Sequence, residues 1–192
     1  MQKKLALIFP GIGYNMDKPL LHYARRIVTE AGYEVLVMPY LSTDFEEGRV
    51  TEAGIQRAYQ MCQRSLIKYD MSDFKEVLLI GKSVGTLLAG MCISGLTGRG
   101  QAELRFLMLT PLSPSFPYMK GRRALALAGR KDPVMNEELL QTLAEEYEVP
   151  LTLYESANHS LEVRGNPGRS VEILADVVQK IQLFINTDGN DK

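Results

Sequence analysis

Six short apolar runs, separated by amphipathic stretches at helical spacing, recur along this chain, and that rhythm constrains the fold more than any other feature. The runs at 4–9, 34–39, 76–80, 104–110, 124–128 and 151–154 read as strands. Several are almost unbroken, as expected for strands covered on both faces. Between them, 17–32, 50–69, 135–148 and 168–186 read as amphipathic helices, with apolar residues three and four apart in 50–69 and 135–148, and 86–94 reads as a further helix. Asp17 stands where an N-cap would stand, and Gly32 where a helix ends on a C′ glycine. Alternating strands and helices predict an α/β fold with a mostly parallel sheet of about six strands. Only "PLSPSFPYMKG" (111–121) breaks the rhythm, because its three prolines forbid a regular helix.

A chain of 192 residues with no linker or repeat is expected to form one domain, 1–192, ending in a polar, frayed tail at 187–192. A net charge of −1 argues against a nucleic-acid partner, which would need clustered lysine and arginine. The basic "KGRR" at 120–123 reads as a solvated loop before a strand. No apolar run approaches the roughly 20 residues of a membrane span. The stretch 5–9 is too short for a signal peptide, so a cytoplasmic protein is expected. Cys62 and Cys92 lie in helical stretches without metal spacing and read as reduced core thiols. Neither cofactor nor metal is expected.

Two glycine motifs invite a nucleotide-binding reading, and both fail. Gly81-Lys82-Ser83 resembles the end of a phosphate-binding loop, but the glycine required five residues earlier is Glu76. Residues 77–80 also run into Gly81 as strand, leaving no loop of amides for a phosphate. Gly11-Ile12-Gly13 follows the first strand, but a dinucleotide fingerprint needs glycine where Met16 stands. It also needs an acidic residue near the end of the second strand, where Met38 and Pro39 stand.

The same letters around Ser83 also spell G-x-S-x-G, from Gly81 to Gly85. A strand before and a helix after place Ser83 on a tight turn that lifts its hydroxyl to a helix N-terminus. Such a serine needs a base. Of two histidines, His22 falls within the first helix, as a surface residue, whereas His159 follows the last strand. Asp132 follows the fifth strand and supplies a carboxylate to orient the imidazole. Ser83, Asp132 and His159 each sit just past the C-terminal end of a different strand, where open parallel sheets gather their ligands.

With these residues in place the chain resembles an α/β-hydrolase, from Leu5 to about Phe184. That resemblance implies a three-layer fold with helices on both faces, and a triad in the order nucleophile, acid, histidine. "GRKDPV" and "ANHSLE" are similar to the family's acid and histidine loops. "PGIGYN" resembles its oxyanion loop, which implies that the amide of Ile12 or Gly13, with that of Val84, binds the oxyanion. Pro10 replaces the family's usual histidine, the run 4–9 corresponds to the family's third strand, and only 111–121 offers room for a lid, so the lid is minimal or absent. Lys82 resembles a small subgroup with a Gly-Lys-Ser elbow, some of whose members act as scaffolds; here it reads as a surface residue with no role.

The expected function is hydrolysis of a small-molecule carboxylic ester or thioester through an acyl-enzyme. An acyltransferase, or a lactone or carbon–carbon hydrolase, would use the same residues. A non-catalytic interaction module on the same fold is the alternative from another class. Tyr14, Asn15, Phe116, Tyr118 and Met119 lie in loops expected near the mouth, as substrate contacts or as ordinary loop packing. The oligomeric state is not readable.

Overall fold

The computed structural model describes residues 3–41, 45, 49–97 and 102–187. Strand β1 (Lys3–Phe9), helix α1 (Pro19–Glu30), β2 (Glu34–Val37) and α2 (Glu52–Leu66) are followed by β3 (Phe74–Lys82) and α3 (Val84–Thr97). Then come β4 (Glu103–Leu109), β5 (Arg123–Gly129), α4 (Glu137–Glu146), β6 (Leu151–Tyr154) and α5 (Pro167–Asn186). The strands form one sheet in the order β2-β1-β3-β4-β5-β6, every neighbouring pair parallel.

Strand alternation divides the core into two layers. Leu5, Leu7, Phe9, Val77 and Leu79 pack with residues of α2 and α3, such as Cys62, Leu88 and Cys92. Ala6, Ile8, Leu78, Ile80 and Leu107 pack with α1 and α5, through Leu21, Val28, Val177 and Ile181. Cys62 and Cys92 are buried free thiols, and the Cys92 side chain, together with burial, pushes the Cys62 thiol up. Helix α3, apolar on nearly every side, carries Leu88, Ala89, Cys92 and Ile93 in the core. Among the described residues no helix is long and apolar enough to cross a membrane.

Several sequence-based boundaries move, each for a local reason. Strand β2 stops at Val37 although Met38 still donates to the Ile8 carbonyl at 2.8 Å, because Pro39 has no N–H to continue the ladder. Strand β3 begins earlier, where a short 3₁₀ turn at Met71–Asp73, capped by the Asp70 side chain, delivers the chain to Phe74. Asp17 does not cap α1: its amide bonds the Asn15 side chain, its carboxylate accepts from Asn15 Nδ2, and Lys18 is the N-cap ahead of Pro19. Proline at the first helical position needs no donor there and brings the helical φ with it. Gly32 follows the end of α1 with φ 80°, as a C′ glycine should. The segment 113–119 forms a 3₁₀ helix around Pro117 and not a lid. Residues 188–192, the bulk of the expected frayed tail, lie outside the described residues.

Candidate active site

The loops after β1, β3, β5 and β6 converge at the C-terminal edge of the sheet. Strands β1 and β3 are neighbours whose connections leave to opposite faces, which makes the crevice between their ends the switch point of the sheet.

Ser83 occupies that crevice with φ 55°, a left-handed conformation that costs about 1–3 kcal/mol for a residue with a side chain. The surrounding backbone holds it there. The Ser83 amide donates to the Leu109 carbonyl at 3.0 Å, and its carbonyl accepts from the Thr86 amide at 2.9 Å and the Thr86 hydroxyl at 2.7 Å. Thr86 in turn accepts from the Leu112 amide at 3.2 Å, tying the elbow to the 111–121 segment. Gly85 lets α3 start against β1, since a Cβ there would lie 2.0 Å from the Phe9 carbonyl oxygen. At Gly81 a Cβ would meet the Thr86 backbone at 2.6 Å.

His159 and Asp132 are brought to this serine by two loops stitched together. Lys131 donates its amide to the Ala157 carbonyl at 3.0 Å, and a Cβ on Gly129 would come within 2.1 Å of that oxygen. Asn158 organises the histidine loop by accepting from the amides of Ser160 at 2.8 Å and Glu162 at 3.1 Å. The outcome is a continuous hydrogen-bonded row: Ser83 Oγ to His159 Nε2 at 2.8 Å, and His159 Nδ1 to Asp132 Oδ2 at 2.6 Å. A carboxylate only accepts, so Nδ1 donates to Asp132 and Nε2 is left to accept the serine hydroxyl. Asp132 spends its other oxygen on the Val134 amide at 2.8 Å, and its side chain is only 2% exposed. His22, by contrast, lies exposed on α1 beside Tyr23.

After β1, Gly11 and Tyr14 exchange two backbone hydrogen bonds of 3.2 Å, closing a tight turn with Gly13 at φ 68°. Gly11 lies against the elbow, where a Cβ would be 3.4 Å from that of Ser83. Neither the Ile12 nor the Val84 amide donates to a backbone carbonyl among the described residues. The Val84 amide stands at the N-terminus of α3, where the helix dipole favours negative charge.

Solved structures share this fold. The chain is similar to a lidless α/β serine hydrolase from Xanthomonas campestris at 16% identity, covering 96% of this chain and 82% of that one, with a TM-score of 0.66. An esterase from Pyrococcus furiosus matches at 15% identity, over 96% and 84% of the two chains, with a TM-score of 0.64. A serine hydrolase homologue from Coxiella burnetii matches at 13%, over 94% and 85%, with a TM-score of 0.63. The chain has the α/β-hydrolase fold. The sequence matches no protein-family model and no curated protein.

Within this α/β-hydrolase fold the expected substrate contacts divide. Phe116 and Met119 are fully buried in the α2/α3 layer and do not face the mouth. Tyr118 packs along α3, its ring filling the space a Gly90 side chain would need. Asn15 is exposed in the loop before α1. Tyr14 is 7% exposed, and its hydroxyl accepts the Leu20 amide at 3.2 Å. It borders a hollow of about 480 Å3 beside the histidine loop, with Leu20, Asn158, Leu161, Val163 and Leu174 among its walls. Among the described residues no cluster of three or more His, Cys, Asp or Glu side chains is gathered to hold a metal.

Lys82 overturns the surface expectation: it is 1% exposed, with its Nζ 4.9 Å from the centre of the Tyr14 ring. The reason is register. Leu78 and Ile80 point into the α1/α5 layer, and Lys82 is the next residue on that face. That alternation was the signal available in the sequence.

Proposed function

We propose that this protein is a serine hydrolase acting on a carboxylic ester or thioester. The observation that carries the reading is the hydrogen-bonded row Ser83–His159–Asp132 mounted on a strained strand-to-helix turn. Ser83 Oγ attacks the acyl carbon as His159 Nε2 takes its proton. Asp132 holds the imidazole tautomer and stabilises the imidazolium that forms. The oxyanion is bound by the Val84 amide together with an amide of the Gly11–Tyr14 turn, from Ile12 or Gly13. His159 then returns the proton to the departing alkoxide or thiolate, and water, deprotonated by the same imidazole, releases the acid from the acyl-enzyme. The hollow between Tyr14 and α5 would take an apolar portion of the substrate.

Treatment with a fluorophosphonate, followed by peptide mass spectrometry, tests this directly. Folded protein is expected to carry the adduct on Ser83, and S83A and H159A to remain unlabelled. Folded wild-type protein left unmodified at Ser83 would end the reading.

A further inference from the structure

The buried lysine beside Ser83 has no part in the mechanism above, yet it touches two pieces of it. Lys82 directly precedes the serine, and its side chain runs beneath the β1 turn: a Cβ on Gly11 would lie 3.3 Å from Lys82 Cγ and 3.2 Å from its carbonyl oxygen. Its Nζ ends over the Tyr14 ring, at the far side of the same turn. We propose that Lys82 is a positioning residue, whose ammonium clamps the Gly11–Tyr14 turn to the serine elbow through the face of Tyr14 and so fixes the turn's amides. The role rests on the serine-hydrolase reading, because those amides matter as oxyanion donors.

The turn's other attachments explain why this contact counts. Tyr40 donates its hydroxyl to the Pro10 carbonyl at 2.7 Å, fixing the entry to the turn, and Gly85 lets the elbow press on Phe9 just before it. Tyr14, at the exit, is held by the Leu20 amide on its hydroxyl and by Lys82 on its ring. A cation over a desolvated ring is attracted far more strongly than a neutral amine would be.

The clamp therefore depends on charge, and the charge changes near neutrality. Burial pushes the Lys82 ammonium down to about 7, while the Asp132 carboxylate opposes the shift. Asp132 faces it from the β5–α4 loop, with His159 from the β6–α5 loop bonded to that carboxylate. From the β1–α1 loop comes Tyr14, pushed up to about 12 by burial with a contribution from Glu162, and so neutral throughout this range. Below neutrality Lys82 is charged and the turn is held; above it the attraction lapses.

The test compares second-order rates of fluorophosphonate labelling at Ser83 for wild type, K82M, Y14L and the double variant, between about pH 6 and about pH 9. Wild type should label about tenfold faster than K82M at the acid end, with the ratio falling toward one at the alkaline end. Y14L should lose as much as K82M, and adding K82M to Y14L should cost little more. A ratio that is flat across pH, or additive losses in the double variant, would overturn the clamp and leave the hydrolase reading standing. Should wild type resist labelling, nuclear magnetic resonance of the unreacted protein still decides. The amide signals of Ile12 and Gly13 following the titration of the Lys82 ε-methylene support the clamp. Amide signals indifferent to it overturn it.

Discussion

Asp132 illustrates how much one atom can decide. Its Oδ2 receives His159 Nδ1 at 2.6 Å, while Oδ1 is occupied by the Val134 amide. Replacing it with asparagine keeps the shape, but an amide NH2 turned toward His159 faces a donor with a donor. The imidazole then flips its tautomer, Nε2 carries the hydrogen, and Ser83 loses its base. D132N is expected to lower kcat by about four orders of magnitude with little change in KM. Steady-state hydrolysis of p-nitrophenyl esters measures both, and a loss confined to KM would assign Asp132 a different role. Ser83, Asp132 and His159 were legible in the sequence because each follows an apolar run closely, and chain order linked them. Lys82 was not, because a lysine in a loop-like motif looks solvated until β3 is followed two residues past Ile80 and its even positions are seen to enter the α1/α5 layer.

Among the elements, α3 bears most of the geometric burden, because its first turn presents Ser83 and Val84 while lying directly on β1. The two glycines of that helix nearest a clash make contrasting predictions. A Cβ at Gly85 would strike the Phe9 backbone at 2.0 Å, and no rotamer relieves a backbone clash, so α3 must lift from β1. G85A is therefore expected to destabilise by about 3 kcal/mol and to abolish labelling of Ser83, as the amides on either side of the crevice separate. A Cβ at Gly90 would strike the Tyr118 ring at 2.5 Å, and a half-buried ring can turn aside. G90A should destabilise by less, about 1 kcal/mol, with labelling retained. Urea denaturation of both variants checks the order, and equal losses would contradict it. The strand–helix alternation was readable because every strand is an apolar run. The 111–121 segment was read correctly as no regular α-helix, but whether Phe116 and Met119 meet substrate or simply pack was left open. Its prolines announce irregular backbone, yet nothing local says that Phe116 and Met119 turn inward to complete the layer over β4 and β5.

For the whole molecule, the groups that titrate differently in folded and unfolded chains predict a stability profile skewed to alkaline pH. Lys82 falls from 10.5 to about 7 on folding because burial penalises its charge. Between those values the unfolded chain holds a proton that the native state has released. Raising the pH strips that proton from the unfolded state alone, so on this account stability climbs from about pH 7 to about pH 10, by at most about 1.4 kcal/mol per pH unit. The buried phenols act in the opposite sense. Tyr33, Tyr40 and Tyr154 are all pushed above their usual 10.0, Tyr33 and Tyr154 with a carboxylate accepting their hydroxyls. The stability they contribute is complete below pH 10.0 and declines as pH rises through their folded values. The Cys62 thiol, pushed up from its usual 9.0, acts in the same sense as the phenols from about pH 9 upward. Wild type should therefore reach its greatest stability near about pH 9, later than the usual maximum between about 5 and 8. K82M isolates the lysine's share, since the phenols are common to both proteins. The stability of wild type relative to K82M is expected to rise steadily from pH 7 to pH 10 in urea titrations, and to be level below pH 7. A difference independent of pH across that window would mean that Lys82 keeps its ordinary affinity for the proton in the folded chain. The charge-dependent hold on the Tyr14 turn would then have no switch near neutrality.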